Sequence, residues 1–171
     1  MPLTPEKNPI AAPQQPKAPF DMGMMDTVRD AQGMAAPKQM NVLQIIEKAI
    51  EPQLASGLNW DDFQRRLLGW IETKNNKLMQ IGNTAFLLTF LSPDVCQVSI
   101  LNADSEPNLM QNIIGLTKAL KNHNFKKMIG YANEPKYVEL AKKSKLPFKI
   151  SQSQKVVDGK AIPVYTFELD L

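Results

Sequence analysis

The sequence predicts an α+β domain, a mixed and mostly antiparallel sheet flanked by helices, carried behind an extended N-terminal arm. Three observations carry that expectation. The first forty residues hold Pro2, Pro5, Pro9, Pro13, Pro16, Pro19 and Pro37, seven of the thirteen prolines. Proline fixes φ and lacks a donor N–H, so this stretch disfavours both helix and sheet. From residue 41 the apolar positions recur at helical spacing, and from residue 77 they fall into short, partly β-branched runs broken by turn residues. Residues 1–40 are therefore assigned to the arm and 41–171 to the domain, which is long enough to bury a core.

Within the arm, residues 1–19 read as a polyproline-type tether. Phe20, Met22, Met24, Met25, Val28 and Met34 follow among glycines and small residues. They form a candidate docking strip, because unbranched methionine fills irregular grooves at little strain. A flexible linker is the alternative reading of the same residues.

Two helices open the domain. Asn41 caps the first, with Val42, Ile45, Ile46, Ala49 and Ile50 on one stripe and Pro52 limiting its length. Asn59 caps the second, where Trp60, Phe63, Leu67, Trp70 and Ile71 form the stripe. Strands are expected at Lys77–Ile81, Thr84–Leu91 and Val95–Ala103, separated by Gly82-Asn83 and Ser92-Pro93-Asp94. Connections this short make an antiparallel meander. Pro107 sits at a favoured first-turn position of a helix that buries Leu109, Ile113, Leu116 and Leu120 and ends at Asn122–Asn124. A strand at Lys127–Ala132 and a helix at Pro135–Lys145 come next. Lys149–Val157 and Ala161–Leu169 then flank Asp158-Gly159, a strong hairpin signal. Pro163 asks for an edge or a bulge.

Composition narrows the function classes. Hydrophobic residues make up 43% and charged residues 22%, as in ordinary globular proteins. Cys96 is the only cysteine, so no intrachain disulfide forms; within a strand it reads as a small core residue. No apolar run approaches the roughly 18 residues of a membrane span. The N-terminus lacks the basic and apolar regions of a secretory signal. His123 is the only histidine and reads as an exposed helix end, so no His-based metal cluster is available. No Walker loop, nucleophile elbow or metal-ligand spacing occurs.

The segment Asn133-Glu134-Pro135-Lys136-Tyr137 through Leu146-Pro147-Phe148, together with the element order, resembles the GNAT acetyltransferases over residues 42–171. Many members have an asparagine after the corresponding strand and a Gly-Phe after the next helix. Asn133 and Phe148 fit, while Pro147 stands where glycine is usual. The resemblance implies an acetyl-CoA site in which a glycine-bearing loop lets backbone N–H groups reach the diphosphate at a helix N-terminus. This chain has Asn102-Ala103-Asp104-Ser105-Glu106-Pro107-Asn108 there, with no glycine before Gly115. Pro107 removes a donor, and Asp104 and Glu106 repel phosphate. Tyr137 lies near where the family often keeps its acid, but without the loop it reads as an ordinary helix tyrosine. The expectation is therefore a degenerate acetyltransferase fold that is not an enzyme, with no catalytic residue, no metal and no cofactor.

Gly130-Tyr131-Ala132-Asn133, a helix, Asp158-Gly159 and Tyr165-Thr166-Phe167 are also similar to the end of a small internal virion or head-assembly protein of short-tailed phages, the podoviruses. That resemblance implies a virion structural protein assembled in the host cytoplasm. Its partners would be other virion proteins (portal, core, capsid or tail components), bound through the arm, with no membrane involved. Eleven lysines between Lys118 and Lys160 face three acids, Glu134, Glu139 and Asp158. Lys126, Lys127, Lys142, Lys143 and Lys145 form a candidate basic face for nonspecific contact with packaged DNA; a solvated surface is the plainer reading of the same residues. Two alternatives stay open: an active N-acetyltransferase with an atypical acetyl-CoA loop, and a nonspecific nucleic-acid-associated virion protein.

Overall fold

A computed structural model describes residues 39–171. The docking strip Phe20, Met22, Met24, Met25, Val28 and Met34 lies outside the described residues. Two helices, α1 (Val42–Ala49) and α3 (Trp60–Glu72), start where the sequence places them. Asn41 forms a capping box with Gln44: its side chain accepts from the Gln44 N–H at 2.9 Å, and the Gln44 side chain accepts from the Asn41 N–H at 3.0 Å. Asn59 accepts from the Asp62 N–H at 3.1 Å. Between them lies an unexpected short helix, α2 (Glu51–Ala55). Pro52 does not merely stop the chain; it occupies the first turn of α2, where its missing N–H has no intrahelical partner to lose.

The strands are β1 (Asn76–Ile81), β2 (Thr84–Ser92), β3 (Val95–Asn102), β4 (Lys127–Ala132), β5 (Lys149–Val157) and β6 (Lys160–Asp170). Helix α4 (Glu106–Asn122) links β3 to β4, and α5 (Lys136–Lys143) follows β4. The predicted helix Pro135–Lys145 is shorter because Pro135 is its N-cap, Ser144 its C-cap, and Lys145 turns out at φ +59°. One six-stranded sheet results, in the order β1-β2-β3-β4-β6-β5. Every neighbouring pair is antiparallel except β3–β4, which needs the α4 crossover.

Alternation along β2 divides the core. Phe86, Leu88 and Phe90 face one side, where Met79, Cys96 and Val98 meet Leu109, Ile113, Leu116 and Leu120 of α4 and Leu140 of α5. Ala85 and Leu87 face the other, against Ile45, Ile46 and Leu67 of α1 and α3. The sheet is thus buried on both faces, as its near-continuous apolar strands require. The β5–β6 turn has φ +50° at Asp158 and +74° at Gly159, the pair of left-handed residues a type I′ turn demands. Pro163 pairs with Gln154 on β5 but lies beyond the last β4 partner, Tyr165, so its missing N–H costs no second ladder. No described helix is long and apolar enough to cross a membrane.

Candidate functional site

The only parallel pair among the described strands builds the site. β3 and β4 stay in register from Val95 opposite Lys127 to Val98 opposite Gly130, and then part. Each keeps its outer partner: β3 pairs with β2 as far as Asn102, and β4 with β6 as far as Ala132. Asn102 ties the end of β3 away from β4. Its Oδ1 accepts from the Thr84 hydroxyl at 2.8 Å and the Asp104 N–H at 3.0 Å, and its Nδ2 donates to the Asp104 carbonyl at 2.8 Å. The parted strands open a cleft of about 240 Å³ between α4 and α5. Leu109, Ile113 and Leu116 wall one side and Tyr137, Leu140, Ala141 and Ser144 the other. Val98, Ile100, Met128, Gly130, Tyr131, Ala132, Phe148 and Phe167 complete it. Gly130 keeps the floor bare at the point where the strands separate.

Its lining is apolar apart from three hydroxyls. Ser144 is spent on ending α5, donating to the Ala141 carbonyl at 2.6 Å and accepting from the Leu146 N–H at 3.3 Å. Tyr131 is 54% exposed at the rim. Tyr137 is half-buried in the α5 wall. The Lys136 Nζ lies 5.1 Å from the centre of the Tyr137 ring and 2.8 Å from Glu134. The hydrogen bond to Glu134, then the electrostatic influence of Tyr137, raise the Lys136 pKa and keep it a cation beside that ring.

Cys96 lies in the core two residues before Val98 on β3 and is 0% exposed. Burial pushes its thiol from 9.0 up to about 12. We expect no labelling of native protein by an aromatic disulfide reagent, and stoichiometric labelling in denaturant; rapid native labelling would contradict this burial. The sign of the pH effect follows. Above about 9 the unfolded thiol loses its proton while the folded one keeps it, so this contribution is complete below that pH and declines as pH rises towards about 12.

A nucleotide diphosphate does not fit the loop between β3 and α4. The Asp104 Oδ2 accepts from the Asn83 N–H and the Asn112 Nδ2, each at 2.8 Å. Glu106 is bridged by Lys143 across to α5 at 3.0 Å. The loop's acids are thus engaged by groups from other elements, and they stand where the GNAT resemblance calls for a cradle. No group of His, Cys, Asp and Glu suited to a metal occurs among the described residues. A second hollow, about 530 Å³ and more open, lies along α1 from Gln39 to Leu54 and brings together no comparable chemistry.

The basic face falls in two places. Lys126 and Lys127 lead into β4, and Lys127 pairs with Glu168 at 3.4 Å. Lys142 and Lys143 end α5, paired with Glu139 at 3.1 Å and Glu106 at 3.0 Å, and Lys145 follows them, exposed. His123 is the C-cap of α4 and half-buried, more enclosed than the sequence suggests. Sequence reasoning named Tyr137 but not its place on the cleft, and missed Ile100, Gly130 and Tyr131. Alternation from Cys96 through Val98 assigns Ile100 its face, but nothing local shows that two strands part.

No protein-family model matches the chain, and no curated protein is similar to it in sequence. Solved structures do match. A chimeric form of the spermidine N-acetyltransferase SpeG from Vibrio cholerae aligns over 75% of this chain and 89% of its own, at 13% identity and a TM-score of 0.55. An uncharacterized protein from Bacillus halodurans aligns over 77% and 81%, at 7% identity and 0.56. A probable acetyltransferase of the GNAT family from Chromobacterium violaceum aligns over 66% and 68%, at 11% identity and 0.52. The resemblance to a phage virion protein finds no support in these structures. They also overturn the expectation that the chain is not an enzyme. That expectation rested on the β3–α4 loop and on the lack of a convincing catalytic group, whereas the acetyltransferase neighbours match the fold over 75% and 66% of the chain. At these identities the likeness concerns architecture: the domain has the fold of the GNAT N-acetyltransferases.

Proposed function

We propose that the chain is an N-acyltransferase in which the cleft between β3 and β4 takes the linear arm of an acyl thioester and Tyr137 protonates the departing thiolate. The observation that carries this reading is the parting of the parallel pair beyond Val98 and Gly130, with Tyr137 on the wall it creates. The unpaired inner edge of β3 offers backbone groups to an extended amide-bearing arm, and the apolar walls exclude water from the thioester. A neutral amine attacks the carbonyl carbon, forming the C–N bond; collapse of the tetrahedral intermediate breaks the C–S bond. The Tyr137 O–H gives its proton to sulfur, and the surplus amine proton returns to the phenolate through solvent. The SpeG relative is a spermidine acetyltransferase, so polyamines head the acceptors to be tried here.

The experiment is a thiol-release assay. Full-length protein is mixed with acetyl thioesters and with spermidine, a lysine peptide or simple primary amines. Buried Cys96 leaves little background. We expect release that requires protein, thioester and amine together, and a matching acetamide by mass spectrometry. Release independent of the amine, or none with any pair, would overturn the reading.

A further inference from the structure

Resting on that reading, we infer that the acyl donor is a thioester on a pantetheine-type arm whose far end is not anchored as a nucleotide diphosphate. The cleft and its mouth make different demands. The cleft is apolar and about 240 Å³, room for a chain-like arm. The mouth, where β3 runs on into α4, is acidic. Pro107 has no N–H to offer there, and Asp104 and Glu106 place two carboxylates beside the first turn of α4.

Asp104 belongs to the packing, while Glu106 stands exposed. Asp104 accepts from the Asn83 N–H and the Asn112 Nδ2, and Asn112 also donates to the Thr84 hydroxyl at 2.9 Å. The β1–β2 turn presses on the same groups: a Cβ at Gly82 would lie 2.9 Å from the Asn112 Nδ2 and 3.0 Å from the Asp104 Oδ2. A diphosphate entering here must expel Asp104 from two hydrogen bonds and lie against Glu106. The Lys143–Glu106 bridge spans the gap between α4 and α5, so Lys143 is already occupied. Helix-terminal attraction for phosphate is thus offset by fixed negative charge.

The same arm occurs as a free pantetheine thioester and as the prosthetic arm of a carrier protein, and both lack the nucleotide. The test compares acetyl-CoA, acetyl-pantetheine and acetyl-loaded carrier protein on full-length protein. It also compares binding of the unreactive S-ethyl thioethers of pantetheine and CoA by calorimetry. We expect kcat/KM and affinity for the CoA compounds to stay less than about tenfold above the pantetheine compounds, since the nucleotide contributes no net anchoring. Whichever of the free and carrier-borne arms turns over faster identifies the source. An advantage of tenfold or more for CoA overturns the inference, whatever the turnover, and so does failure of the pantetheine thioether to bind. If that thioether binds and no thioester reacts, the proposed activity falls while the binding inference stands. Glu106→Gln, a change at an exposed side chain, should raise the CoA-to-pantetheine ratio by about threefold; an unchanged ratio counts against the acidic mouth.

Discussion

Replacing Tyr137 by Phe is expected to lower the turnover number of the proposed acyl transfer by about a hundredfold and to leave the KM for the thioester within a factor of two. The size follows from the role: a positioned general acid contributes about 10²–10⁴-fold, and the low end applies where a thiolate, a fair leaving group, is being protonated. A hundredfold corresponds to about 2.7 kcal/mol of transition-state stabilisation. The split between kcat and KM follows from the geometry. The Tyr137 ring is part of the α5 wall and packs on the core, and phenylalanine keeps that ring. Thermal stability should therefore stay within about 1 °C, separating a chemical role from a structural one. Tyr131→Phe is the control, since that side chain is 54% exposed at the rim. Equal loss in both variants, or a Tyr137→Phe enzyme within twofold of wild type, removes the proposed acid. A rate restored in the variant by small exogenous phenols would strengthen it.

Phe86→Ala costs about 3–5 kcal/mol of folding stability, the usual range for a buried phenylalanine cut back to alanine. Phe86 is 0% exposed. It sits at mid-sheet, opposite Met79 on β1 and Ile100 on β3. Strands on both sides hold the backbone, so the void cannot close by collapse. A domain of this size has a total stability of about 5–15 kcal/mol, so the variant is marginal near body temperature. Urea unfolding should show a lower midpoint with the same slope. Leu91→Ala, at a side chain 53% exposed, should stay within about 0.5 kcal/mol of wild type. A Phe86→Ala loss below about 1 kcal/mol would mean that the sheet repacks, contrary to the rigid core described here. Ile100 is also a cleft residue, so the surviving folded fraction should bind the thioester arm more weakly.

Much of the architecture is readable along the chain because it depends on neighbours in sequence. Asn41 and Asn59 announce their helices by the side-chain oxygen that a first turn needs. Asp158-Gly159 announces its turn by tolerance of positive φ, and the near-continuous apolar run in Thr84–Leu91 announces a strand. The acidic β3–α4 loop is legible too, since Asp104, Glu106 and Pro107 need no coordinates to argue against a phosphate cradle. α2 was missed because Pro52 serves equally to end one helix or to begin another, and the choice depends on how the chain packs.

The cleft is of a different kind. It arises where the partners of β3 and β4 on their outer edges hold better than the two strands hold each other. Asn102 settles that balance by bonding to Thr84 and Asp104, residues 18 and two positions away. Tyr137 is an ordinary helical tyrosine until that parting gives it a wall to stand in. The acids of the loop likewise change meaning once Asp104 is seen bonded to Asn83 and Asn112: under the proposed reading, a missing cradle becomes a mouth that selects the far end of the donor. Caps, turns and alternation are written into local chemistry, because a few adjacent residues settle them. A space between two strands is settled by competition among hydrogen bonds from distant segments, and that competition exists only in the folded chain.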